Sequence, residues 1–377
     1  MKNELCEKLG IRFPIFAFSH CRDVVAAVSR AGGLGVLGAV AFSPEQLELE
    51  LAWLDQHVDG KPYGLDTVMP YKYEGREQGD LSQAQLEAMI PKAHQEWLIK
   101  LLQKHGVPEI PANVENTHET LLGWSLSAGT AHVDIGMKHP IRLIANALGP
   151  PPEEVVTRAH KEGVLVAALC GSVRQALKQK EAGVDIIIAS GYEAGGHTGE
   201  IGSMSLIPQV VDAVGDTPVL GAGGMGDGRH LAAAMALGAS GIWCGSVWLT
   251  TNESDCEDAL VEKMLKASET DTVRSRCISG KPARQLITTY TKAWEEKDCP
   301  GYLPMPLQGL LTAEAERRIR RHANTVNTPE AADLLGTPVG QVVGMMKTRK
   351  PAGKVVYDFV EGYIDAVARL NAMLPEE

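Results

Sequence analysis

The chain has 377 residues, of which 44% are hydrophobic and 22% charged, enough for one large domain or a barrel with an appendage. Its formal net charge of −11 disfavours nucleic acid or an anionic membrane as the main partner, because both require a basic surface. No apolar run approaches the ~18 residues of a membrane span, and the opening MKNELCEKLGIRFPIF lacks the basic-then-apolar order of a secretory signal, so a cytoplasmic location is expected.

Short apolar runs alternate with helix-length amphipathic segments. Phe13–Phe18 reads as a strand and Asp23–Ala31 as a helix. Leu34–Leu37 is the second strand, and Ser43 is an N-cap for a helix over Pro44–Val58. Tyr63–Met69 is the third strand. The stretch Tyr71–His139 is too long for a strand-to-helix connection. It reads as a helical insertion, with helices expected over Ser82–Lys104 and Thr117–Ser127.

Ile141–Asn146 resumes the alternation, followed by a helix over Pro152–Glu162. Val164–Leu169 leads into Ser172–Ala182, and Val184–Ala189 into Met204–Val214. Pro218–Gly221 leads into Arg229–Leu237, and Gly241–Cys244 into Asp255–Ala267. Beyond that helix lie a polar segment, Ser268–Ser279, and then Gly280-Lys-Pro-Ala-Arg284. Helices are expected around Arg284–Glu296, Thr312–Ala323 and Val355–Met373, with a Pro-rich loop over Cys299–Pro306.

The strands are near-continuous apolar runs, as parallel strands covered on both faces require. Gly163, Gly183 and Gly238 each fall where a helix stops and the next strand begins. Eight such units predict a (β/α)8 barrel over residues 1–267, with the helical insertion at about 71–139 after strand three. Residues 268–377 are expected to form a smaller, mainly helical C-terminal appendage. A doubly wound open sheet has the same periodicity; the positions of the phosphate turns separate the two.

Those turns are Gly221-Ala-Gly-Gly-Met-Gly-Asp-Gly228 and Gly245-Ser246. Glycines admit positive φ and let backbone N–H groups approach an anion closely. The helix after the first turn would add its free N–H groups and dipole. By strand count the turns follow strands seven and eight, the usual phosphate site of the barrel. Gly195 and Gly196 precede His197 at the end of strand six. An imidazole there can accept a proton near neutral pH. The seven cysteines, among them Cys170 at the end of strand five, form no C-x-x-C pair, so neither a zinc site nor a disulfide frame is indicated.

EAGGHTGE, SLIPQVVDAV, GAGGMGDGR, AAAMALGASGIWCGSVWLT and SGKPAR together resemble the nitronate monooxygenase family, formerly called 2-nitropropane dioxygenases. GIRFPIFAFSH, AVSRAGGLGVLGA, KPYGLDTVMP and PVGQVVGMM extend the resemblance over most of the chain outside the insertion. The resemblance implies a TIM barrel holding FMN, with a nitronate or nitroalkane as substrate and O2 reoxidising the flavin. A homodimer is one assembly it leaves open.

Carried over by position, His197 is the catalytic histidine beside the flavin. Gly223, Gly224, Gly245 and Ser246 match the FMN-phosphate cradle. The backbone of Ala17 and Phe18 faces the ring system, and Gly195 and Gly196 line the same pocket. Asp66 stands where the family usually has an asparagine, which would put a carboxylate near the ring. Ser190 stands where a longer polar residue is common. Strand one ends in Ala17-Phe18-Ser19-His20 rather than Ala-Pro-Met. Lys281 and Arg284 are expected either at the active-site mouth or on the surface.

An FMN-dependent NAD(P)H reductase of quinones or enoyl thioesters would share the cradle. A barrel dehydrogenase acting on a nucleotide would need a catalytic cysteine in the loop Ser190–Ser203, which has none. A non-catalytic FMN-binding protein is the remaining alternative.

Overall fold

In the computed structural model, residues 3–69, 81–111, 125–326 and 328–375 are described. Eight parallel strands close into a barrel: β1 (Ile15–Ser19), β2 (Leu34–Gly38), β3 (Tyr63–Thr67), β4 (Leu143–Asn146), β5 (Leu165–Cys170), β6 (Ile186–Ser190) and, after a two-residue strand β7 (Gly196–His197), β8 (Val219–Ala222) and β9 (Gly241–Cys244). β9 pairs with β1, which completes the ring. Closure excludes the open sheet and makes β8 and β9 the seventh and eighth barrel strands.

Alternate residues of each strand face opposite ways, as the pleat dictates. Phe16, Leu34, Val36, Leu143, Ala145, Ala167, Ile186, Ile188, Leu220, Ala222 and Trp243 form one buried cluster inside the barrel. Ile15, Ala17, Leu65, Ile144, Val166, Ile187 and Ile242 belong to the cluster under the helices. The helix Glu4–Leu9 adds Leu5, Cys6 and Leu9 to the inner cluster. It is capped by Asn3, whose side-chain amide also donates to Ser240 O at 2.7 Å. Helix and cap thus cover the N-terminal end of the barrel and leave the opposite mouth for function.

The outer helices depart from the sequence reading in one instructive place. A helix does form at Asp258–Lys266, but it does not close the ring. The chain's last helix, Ala352–Asn371, packs between Gly228–Ala236 and Arg22–Ala31. The fit is close: a Cβ on Gly228 would sit 2.2 Å from Tyr363 N and 2.3 Å from Phe359 O. The ring's last helix is therefore supplied from beyond residue 267, after an excursion that leaves the barrel behind β9.

That excursion holds a second sheet. β10 (Thr272–Ser275) and β11 (Ala283–Leu286) are antiparallel, and β11 pairs on its other edge with β7. The helix expected from Arg284 is thus strand to Leu286, and a helix spans only Thr289–Ala293. A long helix, Leu307–Val326, packs on Gln83–Ala88 and Lys92–Lys104, the two pieces into which the expected Ser82–Lys104 helix breaks at Pro91. Of the other helix expected in the insertion, Thr117–Ser127, residues 117–124 lie outside the described residues. Ser125 caps a helix over Leu126–Gly136 that packs on β3 and on Pro44–His57.

Candidate active site

The mouth at the C-terminal strand ends gathers the expected site residues. Gly223 and Gly224, after β8, both have left-handed φ, +89° and +72°. Such a pair turns successive N–H groups toward one side and leaves no side chain over them. Gly245, after β9, lies beside the Phe18 ring, 3.5 Å from where its Cβ would be. Ser246 opens a 3-10 turn, and its hydroxyl accepts from Gly340 N at 2.9 Å, leaving its own proton to donate. This bare backbone fits a phosphate. The helix Gly228–Ala236 contributes less than its sequence suggests, because the Asp227 carboxylate already accepts from the N–H groups of Arg229 and His230. Gly226 and Gly228 serve packing instead, against Val342 and the last helix.

His197 is brought over the mouth by sheet pairing rather than by its loop alone. Its β7 partner in register is Ala283 on β11. The His197 Nε2 lies 2.7 Å from Ser279 Oγ, in the segment that joins β10 to β11. Desolvation, and then the positive charge of Lys281, push its pKa down to about 4. The imidazole is therefore neutral at physiological pH and able to accept a proton.

His197 and Ser190 line a cavity of about 540 Å3 together with Leu148, Cys170, Gln179 and Lys281. Two buried oxygens of residues in that wall, Gln179 Oε1 and Thr198 Oγ1, have no hydrogen-bond partner among the described residues. Burial pushes the Cys170 thiol up to about 12, so it is no nucleophile at neutral pH. Lys281 reaches this cavity; Arg284 does not. The Arg284 guanidinium is buried, donates to Tyr192 O at 3.1 Å and lies over the Tyr192 ring.

Asp66 faces the barrel interior in the layer nearest the mouth, since its neighbours Leu65 and Thr67 point outward by alternation. It registers with Gly38 on one side and Ala145 on the other. Its residual exposure is 4%, and no described residue donates to its carboxyl. Burial holds its pKa well above the usual carboxylate range. Burial thus favours the protonated acid over the carboxylate expected from the sequence. Ala17 turns its side chain toward the helices, so only its backbone can face the mouth. Phe18 points inward, stacked on Trp243 and edge-on to His20. The His20 Nδ1 lies 3.0 Å from Gly38 O, a bond between two loop ends. Trp248 is a packing residue, its indole N–H donating to Cys244 O at 2.7 Å.

Several residues that hold the site were not read from the sequence. The Glu193 carboxylate accepts from Ser203 N, at 3.1 Å to each oxygen, and so caps the helix Ser203–Val214. The Ser203 hydroxyl lies within 3.2 Å of Ala222 O and Gly223 O, which ties the histidine loop to the cradle. From above, Gln341 N donates to Glu193 O at 3.0 Å. Asn146 is fully buried and joins the loops after β3 and β4 through Met69 and Gly149. Position was a signal only for Asn146 and Glu193, at or just past the ends of β4 and β6; Ser203 opens a helix and Gln341 a 3-10 turn, and nothing in the sequence ties them to the site.

Comparison with known proteins identifies the family. The nitronate monooxygenase family model matches residues 2–362. A Mycobacterium tuberculosis protein named as a candidate monooxygenase is 49% identical over 374 residues, covering 99% of this chain and all of the relative. A probable nitronate monooxygenase of Staphylococcus aureus strain Newman is 30% identical over 87% of this chain and 89% of its own length. Among solved structures, nitroalkane oxidase from Streptomyces ansochromogenes superposes with a TM-score of 0.78 at 24% identity, covering 97% of this chain and 99% of that one. FabK from Thermotoga maritima superposes with a TM-score of 0.73 at 25% identity, covering 99% of this chain and all of that one.

Proposed function

The chain belongs to the nitronate monooxygenase family, and we propose that it oxidises alkyl nitronates with FMN, using O2 as the final electron acceptor and His197 as the base. The observation that carries this reading is that a neutral imidazole in a cavity and a glycine turn able to take a phosphate both stand at the C-terminal strand ends of one barrel, the imidazole after β6 and the turn after β8. Gly223, Gly224, Gly245 and Ser246 would hold the FMN phosphate. The backbone of Ala17 and Phe18 would border the ring system, along with Asp66, Ser190, Gly195 and Gly196. Bound there, FMN supplies the two-electron oxidation and the reaction with O2.

The chain's own groups do the rest. A neutral nitroalkane must lose a proton from the carbon bearing the nitro group, and the His197 imidazole, unprotonated above about pH 4, can take it. Ser279 fixes the ring through Nε2. A nitronate has already lost that proton and asks of the site only position and charge. The loop 338–346 reaches the cradle through Gly340, which donates to Ser246, and the histidine loop through Gln341, which donates to Glu193 O.

Purified His197→Ala should remain yellow with FMN and keep part of its turnover of preformed nitronates. Its turnover of neutral nitroalkanes should fall by roughly 10²–10⁴, the usual worth of a general base. Undiminished nitroalkane turnover would remove the base role. A protein that purifies colourless and takes up no FMN would end the flavin reading. Rapid anaerobic bleaching by NADH, and none by a nitronate, would replace it with the reductase.

A further inference from the structure

The cavity beside His197 is lined by three cationic side chains, Arg174, Lys178 and Lys281, and by no carboxylate. This one-sidedness occurs in a chain whose net charge is −11, so it is local rather than general. None of the three forms an ion pair or side-chain hydrogen bond with any described residue. Arg174 and Lys178 stand one helical turn apart on Val173–Glu181, exposed at the rim. Lys281 is different, because it is half-buried inside.

Its position is built rather than incidental. Gly280 has a left-handed φ of +78°, and a Cβ there would lie 2.1 Å from Leu303 O, so the turn before Lys281 is pinned under the 299–306 loop. The Lys281 backbone N–H donates at 3.3 Å to Ser279 Oγ, the same oxygen that meets His197 Nε2. One serine thus ties the Lys281 backbone to the imidazole, and the lysine side chain starts from a fixed point beside it. Desolvation lowers the Lys281 pKa, and no carboxylate offsets it. An ammonium withdrawn from water without a counter-ion is costly, and an arriving anion would relieve that cost.

We propose that Lys281 is the receptor for the negatively charged oxygens of the substrate, with Arg174 and Lys178 drawing anions to the mouth. This deepens the nitronate reading and rests on it for the identity of the anion. It also assigns Lys281 a second effect. Its charge disfavours protonation of His197; Ser279 meets the imidazole, and the Cys170 thiol, Arg174 and Lys178 line the same cavity. An anion seated on Lys281 cancels that influence, so His197 becomes more basic when substrate is bound.

The test uses the FMN-treated full chain and nitrate, a planar anion that is not oxidised. Calorimetry should detect nitrate binding that Lys281→Met weakens about tenfold or more, a loss of roughly one charge-assisted contact. Lys281→Arg should largely retain it. The His197 imidazole resonance should shift on nitrate addition, and its titration should move upward in Lys281→Met. Equal nitrate affinity in the parent and Lys281→Met would overturn the proposal. If Lys281→Met fails to fold, the parent alone decides: a His197 resonance unmoved at saturating nitrate also overturns it. Neither readout needs turnover. Lys281-dependent nitrate binding without nitronate oxidation would sink the functional reading and leave the anion receptor. Nitronate oxidation with Lys281-independent nitrate binding would sink the receptor alone.

Discussion

Replacing Asp66 with asparagine should stabilise the protein at neutral pH, by an amount that grows with pH. The carboxyl sits in the top inner layer of the barrel between Gly38 and Ala145, 4% exposed, with no donor or cation among the described residues. Burial raises its pKa well above the ordinary 3.8. The sign follows from proton counting. Below the ordinary value both folded and unfolded chains hold this proton, and the group contributes no pH dependence. Above it the unfolded chain releases the proton while the folded chain keeps it, so rising pH favours unfolding until the folded pKa is reached. One proton corresponds to about 1.4 kcal/mol per pH unit. Asparagine has the same shape and cannot ionise. The stability difference between Asp66→Asn and the parent should therefore widen by up to about 1.4 kcal/mol per pH unit above pH 4. Urea unfolding of the FMN-free proteins, followed by circular dichroism at several pH values from 4.5 to 6.5, measures it. All other titrations are common to both chains and cancel. Stability curves that stay parallel across that range would show that Asp66 is ionised in the folded chain, and the neutral-acid assignment would fall.

Two further outcomes follow from the geometry. With a neutral nitroalkane the acid limb of kcat/KM should lie near pH 4, because the base works only unprotonated and His197 is held at about 4; a limb near the ordinary histidine value of 6.5 would contradict the desolvated, cation-flanked environment. Gly228→Ala should lower the melting temperature, since its Cβ would meet backbone atoms of the last helix that cannot step aside, an overpacking cost of about 1–3 kcal/mol. An unchanged melting temperature would mean that Ala352–Asn371 does not close the ring as tightly as the structure has it.

The barrel was legible because its signal is local. A strand buried on both faces must be apolar throughout, and eight such runs separated by amphipathic helices leave few topologies. The two glycine turns were legible as turns for the same reason, being short, glycine-rich and attached to the ends of β8 and β9. What escaped depended on pairing between distant segments. Asp258–Lys266 and Ala352–Asn371 are both amphipathic, and periodicity does not say which one meets Gly228. Thr272–Ser275 and Ala283–Leu286 are four residues each and carry polar or charged side chains, so strand propensity was too weak to name them.

The same missing sheet explains why Lys281 could not be placed. Whether a lysine in Gly-Lys-Pro-Ala-Arg lies on the surface or in the mouth is undecided until β11 is known to pair with β7. Once Ala283 is in register with His197, the residues just before it must cross the cavity, and Ser279 and Lys281 arrive beside the imidazole together. Arg284, the next residue along the strand, stays out of the cavity and lies over the Tyr192 ring. The two cations of one short motif are thus separated because Lys281 lies in the crossing segment and Arg284 on the strand itself. A helix at that position, as the sequence suggested, would have given no reason for that division.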